Sequence, residues 1–312
     1  SLSHPNLLIA LCSSVVVLCS TPSRADACSP VRGYMRPTNI ELVEDADAIV
    51  IAKSQRLLRS SAGDRIKFVV DDVIKGDITT GEELVFRGTH AAHTEPTGEV
   101  DDFSLPRRGA FAGGCIAYDY SLWGRYLLIL KKRERGWGLA GYPFTRVNEQ
   151  VSGARDDWEV AVRHYHAASL LERGARDAML HKLAAMAESN IDPERYPAAM
   201  AHDITAHFAT PTMLKPATTL VAMYEQRSDD ATRLRILWAI ARGKDPAARD
   251  FMRAKLGGKL GTLEFEAIAV YFTSIEDREA IDAIFAITRS VVARGFSQPA
   301  YWRALFALMA HS

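Results

Sequence analysis

The hydrophobic period of this chain changes once, near Gly153-Ala154, and that change limits the possible folds more than any other feature. Before it, apolar residues alternate with polar ones, as a half-buried strand requires; after it they recur every three to four residues, as amphipathic helices require. At 312 residues the chain also exceeds the usual size of one hydrophobic core. The expected class is therefore α+β and multidomain: a removable segment over 1–27, a β-barrel over 28–153 and an all-α region over 154–312.

In the first part, Ala48-Ile49-Val50-Ile51-Ala52 opens a strand that continues toward Leu57-Leu58. Ile66, Phe68 and Val70 share one face of a second strand, which Lys75-Gly76-Asp77 ends with a turn. Glu83 to Arg87 is a third, stopped by Gly88. Pro96, Gly98 and Pro106 punctuate a long loop from Thr89 to Gly109. Tyr126 to Leu130 and Leu139 to Val147 are the fourth and fifth strands, turned at Arg135-Gly136. Five short strands with long connections fit a small closed or partly open barrel of the OB type.

In the second part, Trp158, Val162 and Tyr165 stripe a first helix ending at Gly174, and Met179, Leu180, Leu183 and Met186 mark a second. Asp192-Pro193 is read as the start of a third helix, stopped by Pro211. Leu220, Val221 and Tyr224 carry the fourth, and Leu234, Leu237 and Ile240 the fifth, up to Gly243. Asp245-Pro246 starts the sixth, and Phe265, Ile268 and Tyr271-Phe272 give the seventh. Ser274-Ile275-Glu276-Asp277 has the pattern of a capping box for the eighth, which Gly295 ends, and Trp302, Leu305 and Met309 suggest a last short helix. Such helices form either a bundle or a HEAT-like solenoid.

Leu7 to Cys19 is an apolar run of about thirteen residues, too short to span a membrane but right for a signal-peptide core. Cleavage sites follow at Ala25 and at Ala27, so the protein is expected to be exported, periplasmic or secreted. With Cys12 and Cys19 removed, Cys28 and Cys115 remain as an even pair in an oxidising compartment, where a disulfide is the default. Closing so long a loop would stabilise the fold by about 4 to 5 kcal/mol.

The order Cys28-Ser29-Pro30, then Asp45-Ala46-Asp47-Ala48-Ile49-Val50, then Val73-Ile74-Lys75-Gly76, then Cys115 ahead of Gly124-Arg125-Tyr126-Leu127-Leu128, resembles the netrin-like domains. That superfamily includes the tissue inhibitors of metalloproteinases. The resemblance covers Cys28 to Val147 and implies an OB-like five-stranded barrel with its N-terminal segment tied on by disulfides. It also implies a partner-binding segment at Cys28, Ser29, Pro30 and Val31. In the inhibitors the mature chain begins with a cysteine whose amine and carbonyl chelate the protease zinc, and a second cysteine follows two residues on. Here Ser29-Pro30 follows a single Cys28. Cleavage after Ala25 matches Cys28 to the second of that pair; cleavage after Ala27 makes it the first and keeps the chelating group.

Little else carries chemistry. Lys plus Arg and Asp plus Glu number 38 each, so net charge gives no footprint for nucleic acid or an anionic membrane. The basic run Lys131-Lys132-Arg133 reads as a solvated strand end. Asp71-Asp72, Asp101-Asp102 and Asp156-Asp157 read as turn or helix-start carboxylates. His90 and His93 lie in a loop, and His164 and His166 cannot share a helical face. No cofactor is implied. Three functions follow: a non-enzymatic exported protein whose partner is another protein; a metalloprotease inhibitor; or an enzyme with its site between the domains, using His90, His93 and Asp101.

Overall fold

The computed structural model describes residues 30–92, 103–111, 115–258 and 260–293. The expected signal segment, Cys28, Ser29, His93, Asp101, Gly295 and the last expected helix lie outside them. Within them the chain is α+β, with an antiparallel six-stranded sheet and nine α-helices.

A helix absent from the sequence expectation comes first. α1 (Asn39–Asp45) is only 7 residues long, too short to persist unaided. It is held by a capping box in which Thr38 Oγ1 accepts from Glu41 N and the Glu41 carboxylate accepts from Thr38 N at 2.9 Å. It buries Ile40, Leu42 and Val43. β1 (Ala48–Leu58) follows and pairs on one side with β2 (Arg65–Lys75) and on the other with β6 (Arg125–Arg133). Ala48 to Ala52 are all buried because both faces of β1 are covered. Ile49 and Ile51 join one apolar cluster, and Ala48, Val50 and Ala52 join another with Ile66, Phe68 and Val70.

β3 (Glu83–Arg87) extends the β2 edge, and β7 (Gly136–Leu139) and β8 (Asn148–Gln150) both pair with β6. A separate parallel ribbon joins β4 (Thr89–His90) to β5 (Asp119–Tyr120). The hydrogen-bonded path runs β3-β2-β1-β6-β7 and is open. Three register shifts between β1 and β2 curl it, so β3 and β7 approach without pairing. The expected closed form of the five-stranded barrel is thus not found among the described residues.

The expected fifth strand, Leu139 to Val147, is also corrected. β7 stops at Leu139, the chain leaves the sheet, and it returns as β8 on the same edge of β6, with Ala140 N donating to Ile129 O and Ile129 N to Val147 O. Pro143 has no N–H to give a ladder, and Phe144 has φ 57°, which an extended strand cannot accommodate. Asp71-Asp72, expected in a turn, lie within β2.

From residue 157 onward every regular element among the described residues is helical: α2 (Asp157–Ser169), α3 (Arg173–Ser189), α4 (Ala199–Ala209), α5 (Ala217–Gln226), α6 (Asp230–Gly243), α7 (Arg249–Leu256), α8 (Thr262–Ser274) and α9 (Arg278–Ala293). Gly174 falls in the first turn of α3 rather than ending α2, and Asp192-Pro193 opens a turn rather than α4. Ser274 closes α8, and Asp277 caps α9 by accepting from Ala280 N at 3.3 Å. No helix among the described residues is long and apolar enough to cross a membrane.

The change of period near residue 153 does not divide the core. Trp158, Val162, Tyr165, Leu180, Met200 and Ile204 of α2 to α4 share one cluster with Ile49, Ile51, Leu127 and Ile129 of the sheet. A second cluster gathers α5 to α9, with Met35 from the N-terminal segment packed against it.

Candidate binding cleft

The segment from Arg32 to Thr38 crosses the molecule as a strap, and its attachments are specific. Arg32 pairs with Glu266 of α8 at 2.9 Å, and the Arg32 carbonyl accepts from Arg242 Nη2 at 2.5 Å. Gly33, at φ +73°, lies flat on the Trp238 ring; a Cβ there would stand 2.2 Å from Cε3, so only glycine fits. Further on, Tyr34 OH donates to Pro143 O at 3.0 Å and Arg36 Nη1 to Phe144 O at 3.2 Å. The strap is thereby tied to the helices at one end and to the excursion between β7 and β8 at the other.

Strap, excursion and α4 enclose a cleft of about 500 Å³, a size suited to a small ligand or a few residues of a peptide. Tyr34 to Thr38 form one wall, Phe144 to Arg146 a second, and His202, Asp203 and Ala206 the third, with Arg235 of α6 at the rim. Asp203 is its acidic group. Tyr165 OH donates to one carboxylate oxygen at 2.8 Å and Asn39 Nδ2 to the other at 3.0 Å. Burial nevertheless pushes the Asp203 carboxyl up to about 6, against the opposite pull of those donors, Arg146 and Arg36.

Arg146 is almost fully buried. It donates to Leu105 O at 2.7 Å, stands 3.6 Å from the buried Glu149 carboxylate and lies 4.6 Å over the Trp158 ring. Its Nε, also buried, has no hydrogen-bond partner among the described residues. The return of the chain into β8 brings Arg146 to this position.

Behind the strap, Glu41 accepts from Thr212 Oγ1 at 2.6 Å and pairs with Lys215 Nζ at 3.1 Å, while Lys215 Nζ also donates to His207 O at 2.7 Å. Thr38 Oγ1 lies 2.8 Å from His207 Nδ1. A hydroxyl beside an imidazole suggests a nucleophile and its base, but burial first, then Lys215 and Arg176, lower His207 to about 3. An imidazole that resists protonation so strongly is a poor general base near neutral pH, and the pair acts as a clamp on the strap.

Of the residues singled out from sequence, Cys115 is buried with φ 57°, and its carbonyl accepts from Phe144 N at 2.7 Å, anchoring the excursion. Pro30 and Val31 are exposed. His90 is exposed on β4 with a ring nitrogen 3.4 Å from Tyr120 O. Among the described residues no group of three or more His, Cys, Asp and Glu could hold a metal ion. Lys131 reaches back to the Asp45 and Asp47 carboxylates at 3.1 and 3.6 Å, so this part of the basic run is paired rather than simply solvated. Arg36, Arg146, Asp203 and Arg235 went unnoticed in sequence. The pattern Thr38-x-x-Glu41 and the Gly141 to Phe144 break were readable signals of the strap's end and of the excursion. No protein family, curated protein or solved structure matches the chain.

Asp203 makes stability depend on pH in a definite direction. Its folded pKa of about 6 exceeds the unfolded value of about 3.9, so its proton binds preferentially to the folded state. The wild type should therefore gain stability, by at most about 2 kcal/mol, relative to Asp203→Asn as pH falls from about 6 to about 4, and lose it again on the way up. His207 titrates in both proteins and cancels. Urea midpoints of the two proteins across this range check it; parallel curves would refute the assignment.

Proposed function

We propose that this chain is an exported, non-enzymatic binding protein whose partner is another protein, and that the cleft under the strap is where the partner is held. The observation that carries the reading is the cleft itself: three independent parts of the chain converge on it, and each wall is pinned by named contacts. Pinned walls favour recognition because little ordering entropy remains to be lost on binding.

The netrin-like reading of the first part draws support from the strand order, a β1-β2-β3 meander with the β6-β7 hairpin added beside β1. That is the order of an OB-type barrel opened between its two end strands. The pairwise packing of α3 on α4, α5 on α6 and α8 on α9 supports a HEAT-like stack for the helices. In this reading the signal segment is removed and Cys28 is bridged to Cys115, which would secure the start of the strap.

The test is retention of a partner from the protein's own compartment on the immobilised mature chain. Arg235→Glu alters an exposed side chain that takes no part in the strap's attachments and should leave the thermal midpoint unchanged, while retention falls by about tenfold, the effect of about 1.4 kcal/mol. Arg36→Glu should lower retention too, and also loosens the strap by removing the bond to Phe144 O. Retention by Arg235→Glu equal to that of the wild type would remove the cleft from the function.

A second reading, inhibition of a metalloprotease through Cys28 to Val31, is favoured by one observation. Pro30 and Val31 are exposed immediately before the anchored Arg32, with Val31 at 60%. N-terminal sequencing of the mature protein discriminates it, since only a chain starting at Cys28 carries the chelating amine.

A further inference from the structure

Resting on the reading of the cleft as a partner site, we infer that its occupant is an extended, acidic peptide segment of the partner, which pairs with the backbone of the strap. The first observation is the strap's peptide groups. Tyr34 N donates to Val31 O and Thr38 N to Glu41, but between them the peptide groups of Met35 and Arg36 make no hydrogen bond to any group among the described residues. Pro37 biases Arg36 toward an extended backbone, and both residues line the cleft, so this short stretch of strap has unbonded peptide groups beside it. An extended peptide can add to such a stretch through main-chain hydrogen bonds.

Charge supplies the sequence preference. Arg36 and Arg235 are both exposed at the cleft, and among the described residues neither is paired with a carboxylate. The Asp203 carboxylate lies on the α4 wall, where it repels an acidic side chain but can accept an N–H or hydroxyl. Acidic side chains are thus drawn to the two arginines, a donor is favoured beside Asp203, and Met35, Phe144 and Ala206 offer apolar contact to alternate side chains. Among the described residues, a basic segment would meet two exposed arginines at the rim.

The probe is a fluorescein-labelled hexapeptide alternating glutamate with valine and phenylalanine, titrated against the full mature chain by anisotropy. Saturable binding is expected, weakened at least tenfold by Arg36→Glu and by Arg235→Glu, and equally by N-methylation of alternate amides in the peptide. The lysine-for-glutamate peptide should not bind. Equal binding of acidic and basic peptides, indifference to N-methylation, or displacement by millimolar inorganic phosphate would each overturn the inference. Loss of the co-purifying partner in the same two arginine variants, with no peptide binding to the wild type, would leave the cleft as the partner site and sink only the acidic-strand occupant.

Discussion

Replacing Glu41 with alanine is expected to cost about 3 to 5 kcal/mol, the usual penalty for stranding one member of a buried ion pair. The Glu41 and Lys215 side chains are 5% and 8% exposed, with 3.1 Å between charged atoms. Removing the carboxylate leaves Lys215 with the His207 carbonyl alone, strips Thr212 of its acceptor and takes away the cap on Thr38 N. Three losses therefore fall together on α1 and on the end of the strap. Glu41→Gln and Lys215→Met should each destabilise on its own, but the double variant Glu41→Gln, Lys215→Met should cost clearly less than the sum of those two, since both buried charges then disappear together. Urea unfolding of the wild type, these two single variants and the double variant measures the cycle. An additive result, or a loss below about 1 kcal/mol for Glu41→Ala, would show that the pair does not hold the strap. The strap lines the cleft, so Glu41→Ala should weaken partner retention as well, without touching the binding surface.

Trp158→Ala should be nearly as costly, at about 3 to 5 kcal/mol, because the removed volume lies in a cluster shared by sheet and helices. Trp158 is 2% exposed, meets Phe103 edge-on at 5.3 Å and carries the Arg146 guanidinium on its face. Trp158→Phe should cost much less, since the indole N–H has no hydrogen-bond partner among the described residues and a ring face remains under Arg146. The informative measurement is hydrogen exchange of the β1 amides. If the sheet closed a core of its own before residue 153, those amides would stay protected in Trp158→Ala. The shared cluster predicts instead that they and the α2 amides lose protection together.

Local rules made much of this fold readable. Ile66, Phe68 and Val70 face one cluster, as a two-residue period requires, and the third strand has the bounds expected of it. Leu220, Tyr224, Leu237 and Ile240 lie buried on their helices for the same kind of reason. Asp156 caps α2, as a carboxylate before an apolar stripe should. The failures lie where two signals compete. Leu139 to Val147 has the composition of a strand, yet Pro143 and the left-handed backbone at Phe144 break it, and Ser274 loses the capping role to Asp277 because it is the last residue of α8.

Hydrophobic period is a property of neighbouring residues, so the order of strand-forming and helix-forming parts, and most apolar faces, follow from the chain alone. Period says which side of an element is apolar, but not which other element covers it. That Trp158 packs with Ile49, or that Arg32 reaches Glu266 across 234 positions, depends on long-range docking that no local pattern encodes. The convergence that makes the cleft belongs to this second kind, although the ends of two of its walls left local signals at Thr38-x-x-Glu41 and Gly141 to Phe144. Arg36, Arg146, Asp203 and Arg235 look like ordinary surface charges in sequence, and they become a site because strap, excursion and helices converge on one space, where burial raises the pKa of the Asp203 carboxyl.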